Sequence, residues 1–311
     1  CPPDTHPVID TPAMAQMLQS RAWRFGLAFI HPLGALTRGL EGHLLADMEA
    51  LDEAGCVGFT NAFAPVLDTQ VLRRAFEYAA TLDLTVFLHA EDPWLTGKGC
   101  VHEGEVSTRL GLPGIPEAAE TVAVARDLAL IEQTGCRAHF CGLSSARAVA
   151  MVAEAQKRGL PVSADVTAHH LHLSEHDIND FDSMCHVRPP LRGKRDREAL
   201  RRALKNGVIG AVCSDHQPHE PDAKLAPFAQ SEPGISALET LLPLTLKLVD
   251  EGVLKLADAI ALLTSKPAAI LGVEAGQLGV GATADVCIFD LKAAWTLTED
   301  QIRSRGHNTP F

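Results

Sequence analysis

The stretch Ala211-Val-Cys-Ser-Asp-His-Gln-Pro-His219 reads as a short apolar strand that ends abruptly in an acid, with imidazoles one and four positions later. A carboxylate placed directly after an apolar strand suits a group that binds a metal ion and doubles as general base. The structural alternative is a helix N-cap followed by surface histidines. Upstream, Val86-Phe-Leu-His-Ala-Glu-Asp92 repeats the pattern, an apolar run ending in His89 with carboxylates just beyond. A neutral imidazole there suits zinc, with a neighbouring carboxylate to orient it; otherwise it is a half-buried histidine bonded to backbone. Thr60 and Asn61, Ser144, and His169 and His170 stand at the ends of three further runs. Polar groups gathered at the C-terminal ends of successive strands are the signature of a TIM barrel's active face.

Working outward, apolar or β-branched runs occur at 25–30, 57–62, 85–90, 138–143, 162–167 and 208–214, and amphipathic stretches at 43–54, 69–82, 116–134, 145–158 and 196–206 lie between most of them. Strands alternating with helices predict parallel βα units, either a barrel or a doubly wound sheet. A doubly wound sheet calls for a glycine-rich phosphate loop after its first strand, and neither GxGxxG nor GxxxxGK[ST] is present. The barrel is favoured. Beyond residue 234 the pattern predicts helices at 234–251 and 256–265, a glycine-rich turn, and one strand over 284–290. Residues 1–275 read as one barrel domain and 276–311 as a separate closing segment.

The 311 residues suffice for one α/β barrel with its own core. A formal charge of −12 argues against a nucleic-acid or anionic-membrane partner, which calls for a basic surface. No apolar run approaches the ~20 residues of a membrane span, and the eight cysteines form no CxxC pair, a usage expected of a reducing cytoplasm. No GxSxG elbow or HExxH is present. Cys141 and Cys213 are the remaining nucleophile candidates, both inside apolar strands. The run 188–202 reads mostly as a solvated helix face behind the rigid loop Arg188-Pro-Pro-Leu-Arg192.

Taken in order, the segments Pro3-Asp-Thr-His-Pro7, His89-Ala-Glu-Asp92, Glu103-Gly-Glu-Val-Ser-Thr-Arg109, Val166-Thr-Ala-His-His-Leu171, Pro189-Pro-Leu-Arg192, Ser214-Asp-His-Gln-Pro-His219 and Gly281-Ala-Thr-Ala-Asp285 resemble the bacterial class I dihydroorotases. The resemblance covers nearly the whole chain. It implies a distorted TIM barrel with a small β-sandwich built from both chain ends, of which 276–311 would be the start of the C-terminal part and the first barrel strand would lie outside the chain. The implied reaction is the reversible, zinc-dependent closure of carbamoyl aspartate to dihydroorotate in pyrimidine synthesis.

The departures from the family pattern are specific. His89 matches the ligand on the family's fifth strand and Asp215 the one on the eighth. The sixth-strand pattern HVxHxS reads His139-Phe-Cys-Gly-Leu-Ser144, so Gly142 stands at a ligand seat. The fourth-strand Asp-Asp pattern reads Asn61-Ala62, and the HxH pair of the first strand would lie upstream of Cys1. Among substrate contacts, His219 matches the histidine that holds the substrate carboxylate, while Asp4 and Arg188 replace asparagines; Asp4 would repel that carboxylate. With so many ligands changed, the resemblance implies a catalytically inactive homologue of the kind that assembles with aspartate transcarbamoylase, cytoplasmic, homo-oligomeric and without a cofactor. The alternative is an active zinc dihydroorotase with a reduced metal site, in which Asp215 is the general base.

Overall fold

The computed structural model describes residues 1–311. Strands β1 (Gly34–Ala35), β2 (Phe59–Thr60), β3 (Thr85–His89), β6 (Arg137–Cys141), β7 (Val162–Thr167) and β8 (Ala211–Cys213) form one six-stranded sheet, while β4 (Val101–His102) and β5 (Gly114–Ile115) make a separate parallel pair. The large sheet is parallel throughout and its order, β1-β2-β3-β6-β7-β8, never reverses. A doubly wound sheet reverses at a switch point. An unreversed order is that of a barrel wall, here six strands of it.

Alternation within the strands decides what faces where. In β6, Ala138 and Phe140 join the core cluster that includes Val149 and Val152 of the helix Ala146–Lys157. The intervening His139 and Cys141 project to the other side, where His139 meets Phe87 of β3 and Ser163 of β7. In β7, Val162, Ala164 and Val166 point outward to the helices, leaving Ser163, Asp165 and Thr167 on the polar side. The outer layer includes helices Thr69–Thr81, Ala118–Thr134, Ala146–Lys157 and Lys194–Lys205. The first of these buries Leu72, Ala75, Phe76 and Ala79, a stripe at helical spacing, and is capped by Asp68, whose carboxylate accepts the Gln70 and Val71 amides. Full burial of a side chain such as Phe76 contributes about 1.5–3 kcal/mol.

Two expected strands do not form. Residues 25–30 follow the helix Pro12–Phe25, which stops at left-handed Gly26, and Leu27 and Phe29 are exposed. The first strand starts later, at Gly34, whose amide reaches the Gly58 carbonyl at 2.9 Å. Only glycine fits there, since a Cβ would stand 2.7 Å from the Phe59 ring. Residues 284–290 also form no strand; Val286 and Ile288 are exposed and no second strand lies beside them to bond. The helix expected over 256–265 is instead two, Leu256–Ala261 and Ser265–Leu271. The final segment is nonetheless tied down, because Asn308 is buried, accepts the His219 amide at 2.8 Å and donates to the carbonyls of Gln217 and Gly234.

Candidate functional site

His89 ends β3 at the barrel mouth, its ring edge-on to Phe63 with centroids 4.6 Å apart. Its Nε2 lies 3.1 Å from Glu91 Oε2. Arg188 grips the same carboxylate with two donors, Nε at 2.7 Å and an Nη at 2.8 Å. Burial would raise the Glu91 carboxyl, but the hydrogen bonds and charges of His89 and Arg188 outweigh it and hold the group at about 2. The free cavity among Thr60, His89, Glu91 and Arg188 is about 30 Å³, room for a water or two at the roughly 10–15 Å³ each requires.

Across the mouth, Asp215 follows β8 with φ +46, a left-handed backbone that a non-glycine residue adopts under strain. Burial raises its carboxyl, a hydrogen bond from Gln217 at 2.9 Å and the charge of His89 oppose the rise, and Asp165 and Asp4 add to it. The charges of His89, Asp165 and Asp4 are thus all felt at Asp215. His219 turns aside, its Nε2 3.0 Å from the Pro233 carbonyl. The neighbouring His216 accepts the Ala237 amide at 3.0 Å.

Two further seats of the family's zinc site that fall within this chain hold no donors. Gly142 has φ +61, and the nearest atoms to a Cβ there are on Pro189 and Thr167, both 3.9 Å away: space without a ligand. Ala62 likewise has φ +49. Asn61 beside it is committed elsewhere, accepting the Thr37 hydroxyl at 2.7 Å and donating to the carbonyls of Leu40 and Ala64. With His89 Nε2 engaged by Glu91 and no donor at Gly142 or Ala62, the mouth residues of this chain do not by themselves fit a dinuclear zinc centre.

Sequence reasoning passed over two arrangements. Arg192, read as the end of the rigid loop 188–192, is buried, with donors to Ser144 Oγ at 3.0 Å and the Ile115 carbonyl at 3.3 Å, and 3.5 Å from Glu120. Glu120 in turn accepts the Ser144 amide and hydroxyl at 2.8 and 2.7 Å. The guanidinium is thus a peg that pins the β4–β5 region against the barrel. The second arrangement lies inside the barrel, where His139 Nε2 is 3.0 Å from Asp165 Oδ2, and single donor atoms of His139, Cys141 and Asp165 all lie within 4.8 Å of one another. The missed signal was Asp165 itself, a charge in the middle of an apolar strand. Burial raises the Cys141 and Cys213 thiols well above their usual range, with nearby Asp165 and Asp215 adding to it, so neither is an activated nucleophile. His169 and His170 are buried and kept neutral by desolvation.

Comparison with known proteins agrees with this geometry. The amidohydrolase family model matches residues 5–309. The chain belongs to the amidohydrolase family. Within it, a dihydroorotase-like protein of Pseudomonas putida is 51 % identical over 311 residues, which is all of this chain and 73 % of that protein. The dihydroorotase of Syntrophotalea carbinolica is 44 % identical over the same span. Among solved structures, the L-hydantoinase of Arthrobacter aurescens superposes with a TM-score of 0.78 at 23 % identity, covering 91 % of this chain and 65 % of that one. The dihydroorotase of Saccharomyces cerevisiae gives 0.70 at 19 % identity, covering 87 % and 75 %. The architecture of this amidohydrolase is accordingly the TIM-barrel type, and its relatives place it in the dihydroorotase group. No helix is long and apolar enough to cross a membrane.

Proposed function

We propose that this chain is a dihydroorotase-like protein of pyrimidine biosynthesis that does not itself turn over dihydroorotate, and that it serves as an assembly partner of aspartate transcarbamoylase. The observation that carries the reading is the Arg188–Glu91–His89 lock. It occupies the one retained imidazole at the β3 end with a carboxylate and holds that carboxylate with a fixed cation. A guanidinium so placed supplies positive charge where the family keeps a metal, but it offers no open coordination position and cannot activate water. The lost seats at Ala62 and Gly142 support the same conclusion.

The assembly role rests on the resemblance to inactive homologues and on apolar surface left open beside the barrel. Trp23, Phe25, Leu27 and Phe29 are 79, 67, 90 and 68 % exposed, consistent with a covering partner or a second copy of the chain.

One experiment tests both parts. The full-length protein is stripped with chelator, resupplied with zinc, and assayed in both directions between carbamoyl aspartate and dihydroorotate, alone and with aspartate transcarbamoylase. The reading expects no turnover in either sample and co-elution of the two proteins in size-exclusion chromatography. Zinc-dependent turnover abolished by Asp215→Asn would establish the active alternative, which the raised Asp215 carboxyl favours as a base. Separate elution would remove the assembly role.

A further inference from the structure

The geometry points to a thiophilic metal site inside the barrel, formed by His139, Cys141, Asp165 and Cys213 and separate from the seats at the mouth. The four residues come from three adjacent strands, β6, β7 and β8. Register brings them together: His139 pairs with Ser163, which places Asp165 alongside Cys141, and Thr167 pairs with Cys213. Alternation turns all four to the same polar side. Asp165 is the hub. Its Oδ2 is 3.0 Å from His139 Nε2, and its Oδ1 accepts the Gly142 amide at 2.6 Å and lies 3.3 Å from Cys213 Sγ.

Bonds of about 2.0–2.1 Å to nitrogen and oxygen and about 2.3 Å to sulfur put neighbouring donors of a zinc tetrahedron about 3.3–3.8 Å apart. Single donor atoms of His139, Cys141 and Asp165 already lie within 4.8 Å of one another, so an ion held by these three needs closure of about 1 Å. Cys213, outside that group but with its Sγ 3.3 Å from Asp165 Oδ1, completes the set by a further side-chain movement. One imidazole, two sulfurs and one carboxylate select a borderline-to-soft divalent cation of the zinc type over magnesium or calcium. Cys141 and Cys213 are half-buried residues, whereas Cys56, Cys100, Cys136 and Cys185 are buried. Binding converts two thiols to thiolates and sends two protons to solvent, so affinity rises with pH.

Without metal the same residues form a hydrogen-bonded polar network, with His139 Nδ1 held 2.8 Å from Ser163 Oγ. That contact also fixes the ring so that Nε2 faces Asp165, as a ligand's outer partner does. The inference stands whether or not the mouth is active.

The test uses the full-length protein with its exposed cysteines removed (Cys1→Ser, Cys287→Ser), stripped of metal and titrated with Cd2+, a zinc surrogate whose thiolate complexes absorb in the ultraviolet. The expected result is one ion per chain with sulfur-to-metal charge-transfer absorption. Cys213→Ala should halve that absorption, and His139→Gln should weaken binding at least about tenfold. Circular dichroism of the metal-free variants establishes that they are folded, and if one is not, the parent titration alone decides. Absence of the absorption in the parent overturns the inference. So does absorption that persists when Cys141 and Cys213 are both replaced by alanine, or tight binding that is lost in His89→Gln but kept in His139→Gln.

Discussion

On the β3 flank of the mouth, the charged groups near His89 are partnered within the protein: Glu91 by His89 and Arg188, and, behind them, Glu120 by Ser144 and Arg192. On the β8 flank, Asp215 sits in a strained backbone, its carboxyl raised by burial and assisted by one hydrogen bond from Gln217. Both flanks lie at strand ends, yet one is tied up in ion pairs and the other holds an acid with no paired cation. The two sides of one barrel face can therefore differ in how completely their charges are paired. An arginine satisfies the acid on one side, while the acid on the other side has no such partner.

The contrast is broken most sharply at Arg192. Arg192→Ala leaves Glu120 buried and without its cation, and should reduce unfolding free energy by about 3–5 kcal/mol in denaturant titration. A loss below about 1 kcal/mol would mean that the β3 flank does not depend on its ion pairs. A smaller change follows at the lock. Arg188→Asn, which restores the residue usual in the family, should destabilise by roughly 1.5–3 kcal/mol, since hydrogen bonds to a charged group are lost. It should also leave the Glu91 carboxylate to His89 alone, seen as a changed imidazole signal in NMR.

Acid sharpens the same comparison. Glu91 is held at about 2 against an ordinary 4.5, so its contribution to stability is complete above about 4.5 and disappears as pH falls toward 2. Unfolding measured across that window should show a loss that is reduced in Arg188→Asn. On the β8 flank the sign reverses. The Asp215 carboxyl is raised, so its ionised form at neutral pH weighs against the fold. Asp215→Asn keeps the shape, tolerates the left-handed backbone and should raise stability at pH 7 by under about 1 kcal/mol. A decrease in melting temperature would show that the charge has a partner on this flank.

The parallel architecture was legible because the strands are written as short apolar runs with polar ends. Residues 162–167, read as an apolar and β-branched run, are β7 in the structure. Residues 25–30 misled because Phe25, Leu27 and Phe29 alternate like a strand but face solvent, and alternation carries no information about whether a partner strand exists. Residues 284–290 failed for the same reason. His89, Asp215, Ala62 and Gly142 could be singled out in the sequence because each sits in a local motif. The partnership of Glu91 with Arg188 could not, since it joins positions 97 residues apart. The partners of Arg192 could not be read from the rigid loop it ends, since its burial depends on Glu120 and Ser144 arriving from elsewhere in the chain.

The clasp made by Asn308 has a consequence for the stretch that precedes it. Residues 273–304 carry neither helix nor strand, but the chain on either side is fastened, at the helix Ser265–Leu271 and at the loop 217–234. The stretch behaves as a handle, attached to the body at two points. Nicking it by protease should leave two polypeptides that travel together in native gels and part only in detergent, and lengthening it should be tolerated because closure entropy grows slowly with contour.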